Sequence, residues 1–438
     1  MPTYSDTLEY LDSFINYERT GMDFAGCRFD LDKLRDVLKD LGDPHRDYRS
    51  VHVTGTKGKG SVCSFTSSIL EEAGYRTGLY TSPHLATPRE RIKVNGKLIS
   101  KGDFADVLGR LRKYLDSPGH FGEFTFFEIC TLMAMLYFSM RKVDYAVFEV
   151  GMGGRFDATN VLDAEVSGIG PISYDHTHVL GNTIEKIAKE KAEIIKRGAR
   201  CVSSPQRDRA LSVIRDKCRE ENASFSLVGK DINFKVTRLD ENGTSFDILG
   251  KRKRYENCRS SLAGEFQASN CATAVGICEE LFAEGGGIDE ETVKRGIERA
   301  SIPGRLEVLS RKPLLVIDGA QNEESASRLK GSIEKIFRYD KLVLILGFSK
   351  DKDIKGVCGQ LVPAADEIVL TKASVARAAD PLLVRGYVKN KEVKITNDVK
   401  EALGRAFKLA GKGDMILAAG SFFVIGEIRK LLVGAERE

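Results

Sequence analysis

The sequence has no low-complexity tract, no marked excess of either charge and no apolar run long enough to cross a bilayer. Each absence removes a class of protein. The longest uncharged apolar run, Ile129 to Phe138, is half a membrane span, which excludes a transmembrane helix. The opening MPTYSDTLEYLDSF lacks a basic segment followed by an apolar one, so no secretory signal is expected. Lys+Arg 67 against Asp+Glu 63 leaves a net charge of +4, well short of a nucleic-acid-coating surface. Neither nucleic acid nor a membrane is therefore expected as a partner. The nine cysteines never approach CxxC spacing and lie inside apolar stretches. They read as reduced core thiols of a cytoplasmic protein, not as disulfides or a zinc site. What remains is a globular chain of 438 residues, 42% hydrophobic and 30% charged, long enough for two or three domains.

The pattern along the chain predicts an α/β protein. Leu31, Leu34, Val37, Leu38 and Leu41 recur at helical spacing. A β-branched strand at 50–54, a glycine loop at 55–60, a helix from Ser61 to Gly74 and a strand at 77–80 make a βαβ unit, and hence a parallel sheet. An apolar helix at 126–140 leads into 144–150, a run suited to a strand buried on both faces. From 224 to 259 short strands surround an Asn242-Gly243 turn, which predicts a small antiparallel patch with KRKR at 251–254 as a solvated strand end. Helices are expected at 267–283 and 290–300. After Pro303-Gly304, strands at 314–317, 342–346, 367–370, 393–395 and 415–418 alternate with helices. The expectation is a P-loop parallel-sheet domain over 1–302, then a smaller Rossmann-like α/β domain over 303–438.

HVTGTKGKGS at 52–61 is the strongest chemical signal. A strand, a glycine loop and a helix start together aim backbone N–H groups and the helix dipole at one anion. Gly55, Thr56, Lys57, Gly58, Lys59, Gly60 and Ser61 form the candidate phosphate cradle. Lys59 is placed to reach the β/γ-phosphates and Ser61 to ligate Mg²⁺. The strict P-loop spacing is not met: one residue fewer precedes the GK pair, and Gly60 separates Lys59 from Ser61. Glu149 is the one charge in the buried run YAVFEV, so it needs a metal or cation partner, or a core salt bridge. His176, in DHTH, is by chemistry alone a hydrogen-bonding loop histidine, since Mg²⁺ prefers oxygen. Lys191 falls in the middle of the apolar stripe Ile184, Ile187/Ala188, Ile194/Ile195, where a bare ammonium must be paired, neutralised or snorkel to water.

GTKGKGS, YTSPHLATPRERI (80–92), FEVGMGGRFDATN (148–160), DHTHVLG (175–181) and EKIAKEKAEIIK (185–196) resemble the folylpolyglutamate synthase/dihydrofolate synthase family of Mur-type, ATP-dependent amide ligases. PGRLE (303–307), DGAQN (318–322), LGFSKDKDI (346–354) and AAGSFFVIGEIR (418–429) continue the likeness in order. The resemblance implies that ATP phosphorylates a substrate carboxylate, that L-glutamate attacks the acyl phosphate, and that an amide forms. The carboxylate donor would be a reduced folate or dihydropteroate, and the protein a cytoplasmic monomer. It makes Ser61, Ser82, Glu149 and His176 contacts to Mg²⁺, with room for a second cation, and Lys191 a lysine carbamylated by CO₂. Lys59, Lys191, His176 and Glu149 would then carry the catalysis. Asn270, Arg305 and Asp318 match ATP-contacting positions, although Asp318 also suits a plain helix N-cap. Pro83, His84, Arg89, Arg91, Thr125, Phe126, Phe127, Glu128, Phe156, Asp157 and Ala158 match segments lining the pterin pocket. By pattern alone Phe126 and Phe127 belong to the core.

The sequence departs from the family where Gln321 and Glu323 replace His and Pro of DGAHNP, where Phe266 precedes Gln267, and where Glu193 replaces a glycine. Two other readings stay open here: a different Mur-type amide ligase, and a non-catalytic nucleotide-binding relative.

Overall fold

Apolar runs without a polar break become the central strands of two parallel-dominated sheets. The computed structural model describes residues 3–20, 30–117, 124–283, 285 and 287–433. Among them, the largest sheet takes β1 (Arg49–Thr54), β2 (Thr77–Tyr80), β3 (Ile92–Val94), β4 (Lys97–Leu98), β5 (Tyr145–Glu149), β6 (Val166–Ile169), β7 (Arg200–Ser203) and β8 (Ser224–Leu227). Their order is β4-β3-β2-β5-β1-β6-β7-β8. All pairs from β2 to β8 are parallel, and β3 and β4 add an antiparallel edge. The chain leaves β1 towards β2 and leaves β5 towards β6, on opposite sides. That reversal opens a crevice beyond the carboxyl ends of β1 and β5, where Val53 is in register with Glu149.

One face of this sheet packs Val51, Val53 and Val147 against the helices Lys59–Glu72, Glu265–Leu281 and Glu290–Arg299. The other packs Tyr80, Ala146 and Phe148 against Lys101–Leu115 and Phe126–Met140, with Tyr4–Asp12 and Asp32–Asp40 outside them. Eight cysteines of the described residues are buried and unbridged; Cys27 lies outside them.

β9 (Asn233–Asp240), β10 (Gly243–Leu249) and β11 (Arg254–Ser260) form the antiparallel patch, in order β11-β10-β9. The expected patch began at Ser224, but Ser224–Leu227 pairs in parallel with β7 and closes the large sheet. Gly243 (φ +128°) leaves no room for a side chain: a Cβ would meet the Ser260 carbonyl at 1.9 Å. The basic run is the turn into β11. Its amides at Lys251, Arg252 and Lys253 donate to the Glu279 carboxylate at 2.7, 3.3 and 3.1 Å, while Lys251 Nζ pairs with Glu280 at 2.6 Å.

The third sheet holds β12 (Glu307–Arg311), β13 (Leu314–Ile317), β14 (Leu342–Leu346), β15 (Glu367–Leu370), β16 (Val393–Ile395) and β17 (Met415–Ala419), in order β12-β13-β17-β14-β15-β16. All its pairs are parallel except β12 with β13. β12 was not foreseen: EVLSR is only partly buried and sits at the sheet edge, so it carries little apolar signal. No helix among the described residues is long and apolar enough to cross a membrane.

Candidate active site

The phosphate loop follows β1 directly. Thr56 and Lys57 donate their amides to the Pro171 carbonyl at 3.0 and 3.4 Å, which pins the first half of the loop to the strand end of β6. Gly55 (φ +148°) lies so close to Gly170 that a Cβ would reach its Cα at 2.9 Å. Gly58 (φ +78°) then caps a helix that begins at Lys59, two residues earlier than expected, because a left-handed glycine turns the chain there. Lys59, Gly60 and Ser61 therefore occupy the first helical turn, where N–H groups have no intrahelical acceptor and face an incoming anion. A Cβ on Gly58 would strike Asn270 Oδ1 at 2.4 Å, which places Asn270 against the loop. Lys59 Nζ donates back to the Gly55 carbonyl at 3.3 Å.

Glu149 ends β5 beneath this loop. It is 5% exposed, and a Cβ on Gly60 would lie 3.4 Å from its Oε2. The Ser82 amide donates to the same oxygen at 3.0 Å. Burial pushes the carboxyl pKa up, against the pull of Lys59. Ser61, Ser82, Glu149 and His176 all line one cavity. The donor set fits Mg²⁺: a buried carboxylate beside serine hydroxyls offers hard oxygen. No group of three or more His, Cys, Asp or Glu among the described residues competes as a self-contained metal cage. Such a site draws its remaining ligands from phosphate oxygens and water. His176 (φ +47°) opens a short helix; burial, against the opposing pull of Asp175, pushes its imidazole down to about 4, so the ring is neutral at pH 7. Asp175 itself pairs with Lys57 at 3.6 Å.

Lys191 lies on the helix Ile184–Ala192, in the stripe of Ile184, Ile187 and Ala188, and is 3% exposed. Its Nζ does not snorkel. It donates to the Gly55 carbonyl at 3.0 Å, which ties the helix to the phosphate loop. Burial, reinforced by Lys59, pushes its pKa down to about 7.

On the other flank, Thr125 caps the helix Phe126–Met140 and Glu128 completes the capping box. Glu128 also pairs with Lys33 at 3.0 Å. Phe127 faces the cavity against Gly151, where a Cβ would meet its ring at 2.6 Å. Pro83, His84, Thr125, Glu128, Phe156, Asp157 and Ala158 line the same space. Three expected substrate residues do not. Phe126 is turned into the core, 1% exposed, with the Arg91 guanidinium over its ring at 5.1 Å. Arg91 is wholly buried, held by the Glu18 carboxylate and by His84 Nδ1 at 2.8 Å. Arg89 donates to the Ile99 carbonyl at 2.7 Å. These three stand behind the wall and brace it.

The C-terminal sheet closes the cavity. Asp318, just beyond β13, accepts from the amides of Leu306 and Ala320 at 2.9 and 2.8 Å. It is not the helix N-cap, a place taken by Asn322. Burial raises its carboxyl pKa, against the pull of Arg305. Arg305 lies over the Phe422 ring at 4.7 Å. The cavity that joins residues 56–61, Ser82, Glu149, His176, Asn270, Arg305 and Asp318 measures about 1070 Å³; Gly55 and Lys191 lie behind its lining.

Comparison with known proteins shows the family. The Mur ligase middle domain family matches residues 53–278, and the Mur ligase glutamate ligase domain family matches 304–422. The dihydrofolate synthase/folylpolyglutamate synthase of Bacillus subtilis is 35% identical over 414 residues, spanning 93% of this chain and 96% of that one. The chain belongs to the folylpolyglutamate synthase/dihydrofolate synthase family. It is an ATP-dependent ligase. The folylpolyglutamate synthase of Mycobacterium tuberculosis, solved with ADP and AMPPCP, superposes with a TM-score of 0.88 at 30% identity over 98% of this chain and 99% of that one. The Escherichia coli FolC structure with DHPP and ADP gives 0.86 at 28% identity over the full length of both.

Four charged residues that gained no role from sequence reach the site. Glu18, Arg328, Lys352 and Arg377 all line the cavity. Lys352 was inside the quoted run LGFSKDKDI, whereas Arg377 follows β15 in an irregular stretch with no periodic signal. The departures from the family find local explanations. Gln321 and Phe266 line the cavity, Glu323 opens the helix Glu323–Ile336, and Glu193 pairs with Lys217 at 3.4 Å.

Proposed function

We propose that the protein joins L-glutamate to the carboxylate of a reduced folate or dihydropteroate, using ATP, through an acyl phosphate. The observation that carries this reading is the single cavity, which brings the phosphate loop, buried Glu149, the pterin-side loops and the Arg305–Asp318 wall within one enclosure. Residues 1–302 would supply the phosphate and pterin sites, and 303–438 the wall that closes over nucleotide and glutamate.

The open amides of the first helical turn and Lys59 hold the β- and γ-phosphates. The substrate carboxylate attacks the γ-phosphorus; the bond to the β–γ bridging oxygen breaks and ADP leaves. The neutral amine of glutamate then adds to the acyl carbon, and the tetrahedral adduct collapses as the bond to the phosphate oxygen breaks, the departing phosphate taking up the proton that the nitrogen gives up. Positive charge from half-buried Lys59 and from Arg305 on the cavity wall favours the charge that develops on transfer. Mg²⁺, held by Ser61, Glu149, Ser82 and His176, would supply charge neutralisation on the phosphates. A second cation would be placed by carbamylated Lys191. That modification needs a neutral amine, and a lysine buried beside Lys59 supports it. The protein would act as a monomer in the cytoplasm.

Purified protein with ATP, Mg²⁺ and L-glutamate would be given dihydropteroate or tetrahydrofolate in separate assays. Phosphate release that requires both glutamate and one of these acceptors is the expected result. ATP turnover indifferent to both would overturn the reading.

A further inference from the structure

We propose that His52 is a positioning residue for the loop 151–158, acting through Thr159 and Asp157. The proposal rests on the reading above that this loop faces the pteridine. His52 lies on β1, three residues before the phosphate loop begins, and its side chain is completely buried. Its Nε2 is 2.7 Å from Thr159 Oγ1. The Thr159 hydroxyl in turn donates to Asp157 Oδ1 at 2.5 Å, and the Thr159 amide donates to the same oxygen at 3.0 Å. Asp157 Oδ2 accepts the Met152 amide at 3.0 Å. One carboxylate thus gathers both ends of the loop.

The direction of the chain follows from proton count. A hydroxyl has one proton, and Thr159 gives it to an acceptor-only carboxylate, so the imidazole must donate through Nε2. Nδ1 is then a bare acceptor. It has no hydrogen-bond partner among the described residues, and an unsatisfied acceptor is tolerated there more readily than an unsatisfied N–H. Burial pushes the imidazole pKa down to about 3, so the ring remains a fixed neutral donor wherever the protein works. Remove that donor and the hydroxyl is free to rotate off Asp157. The carboxylate then keeps only its amide bonds to Met152 and Thr159, and with one of its anchors gone Phe156 and Ala158, which line the cavity on the same loop, are held less firmly.

The test uses the full chain and measures KM for dihydropteroate, KM for ATP and kcat separately. His52→Leu keeps the volume and removes the donor; His52→Gln keeps a donor near Nε2. With His52→Leu, KM for dihydropteroate should rise about tenfold while KM for ATP stays within about twofold, the effect of one lost hydrogen bond to a charged network. His52→Gln should recover to within about threefold of wild type. Thr159→Val should match His52→Leu, Thr159→Ser should behave as wild type, and the double variant should be no worse than either single one. If a buried histidine cannot be replaced without unfolding, the Thr159 pair decides alone. Unchanged KM for dihydropteroate in Thr159→Val, or a parallel rise in KM for ATP, overturns the proposal. A wild-type protein that releases no phosphate with any pteroate acceptor would instead overturn the function on which it rests.

Discussion

Replacing Lys191 with methionine should make the protein more stable and nearly inactive. The amine is buried and its pKa stands at about 7 in the folded chain, against 10.5 when exposed. The unfolded chain therefore binds more protons between these values, so stability rises with pH across that window. The penalty is full below pH 7 and gone above 10.5. At pH 7.5 it is about 4 kcal/mol, from the ratio of the two protonation equilibria. Methionine fills the same stripe without the charge, so urea unfolding at pH 7.5 in CO₂-free buffer should show a gain approaching that figure. The gain falls short by whatever the hydrogen bond to Gly55 contributes. The same shift leaves about three quarters of the amine neutral at pH 7.5, against about one part in a thousand for an exposed lysine. A neutral amine adds CO₂ to give a carbamate and a proton, and the new negative charge faces Lys59 and Lys57. Bicarbonate should therefore raise the unfolding midpoint of the wild type and leave that of Lys191→Met unmoved. ¹³C NMR with labelled CO₂ should show one slow-exchanging carbamate. Absence of that signal, no response to bicarbonate and normal turnover in the methionine variant would together refute the reasoning.

Three further outcomes follow from the site. Lys59→Ala should lower kcat by at least about a hundredfold with little change in thermal midpoint, because a cation aimed at a transferring phosphoryl group acts in the transition state; steady-state phosphate release checks it. Glu149→Gln should cut activity and raise the Mg²⁺ requirement. Because burial raises this carboxyl above 4.5, wild-type stability falls as pH climbs through the raised value, and the glutamine variant should lose that slope in pH-dependent denaturation. Arg91→Ala should cost about 3 kcal/mol by removing a wholly buried, paired guanidinium that also covers Phe126, while its KM for ATP stays near wild type.

Strands at 314–317, 342–346, 367–370 and 393–395 were readable to the residue because each is a short apolar or β-branched run bounded by polar turns. β6 was not: VSGI holds a serine and a glycine, and its burial comes from neighbours on both sides, which no local pattern reveals. In the site, Glu149 and Lys191 were legible because a charge interrupts an apolar stretch. Arg89 and Arg91 misled for the opposite reason. The family resemblance put both in a segment lining the pterin pocket, and only the packed position of Glu18 and Ile99 shows that both guanidinium groups point into the wall. Glu18 and Arg377 reach the cavity through chain topology alone.

β17 lies in the middle of the third sheet, hydrogen-bonded to both β13 and β14, yet it is made after every other strand of that sheet. Until it emerges, β12-β13 and β14-β15-β16 have no shared neighbour and cannot merge. The large sheet, in contrast, has all its strands once Leu227 is synthesised. About 190 residues separate the two events, or some 10–40 s of translation at ordinary rates. Asn270 and the helices Glu265–Leu281 and Glu290–Arg299, which pack on the phosphate-loop side of the large sheet, emerge within that interval, so the loop is completed before the third sheet can close. The cavity wall carried by the third sheet is therefore completed only when its last strand is made.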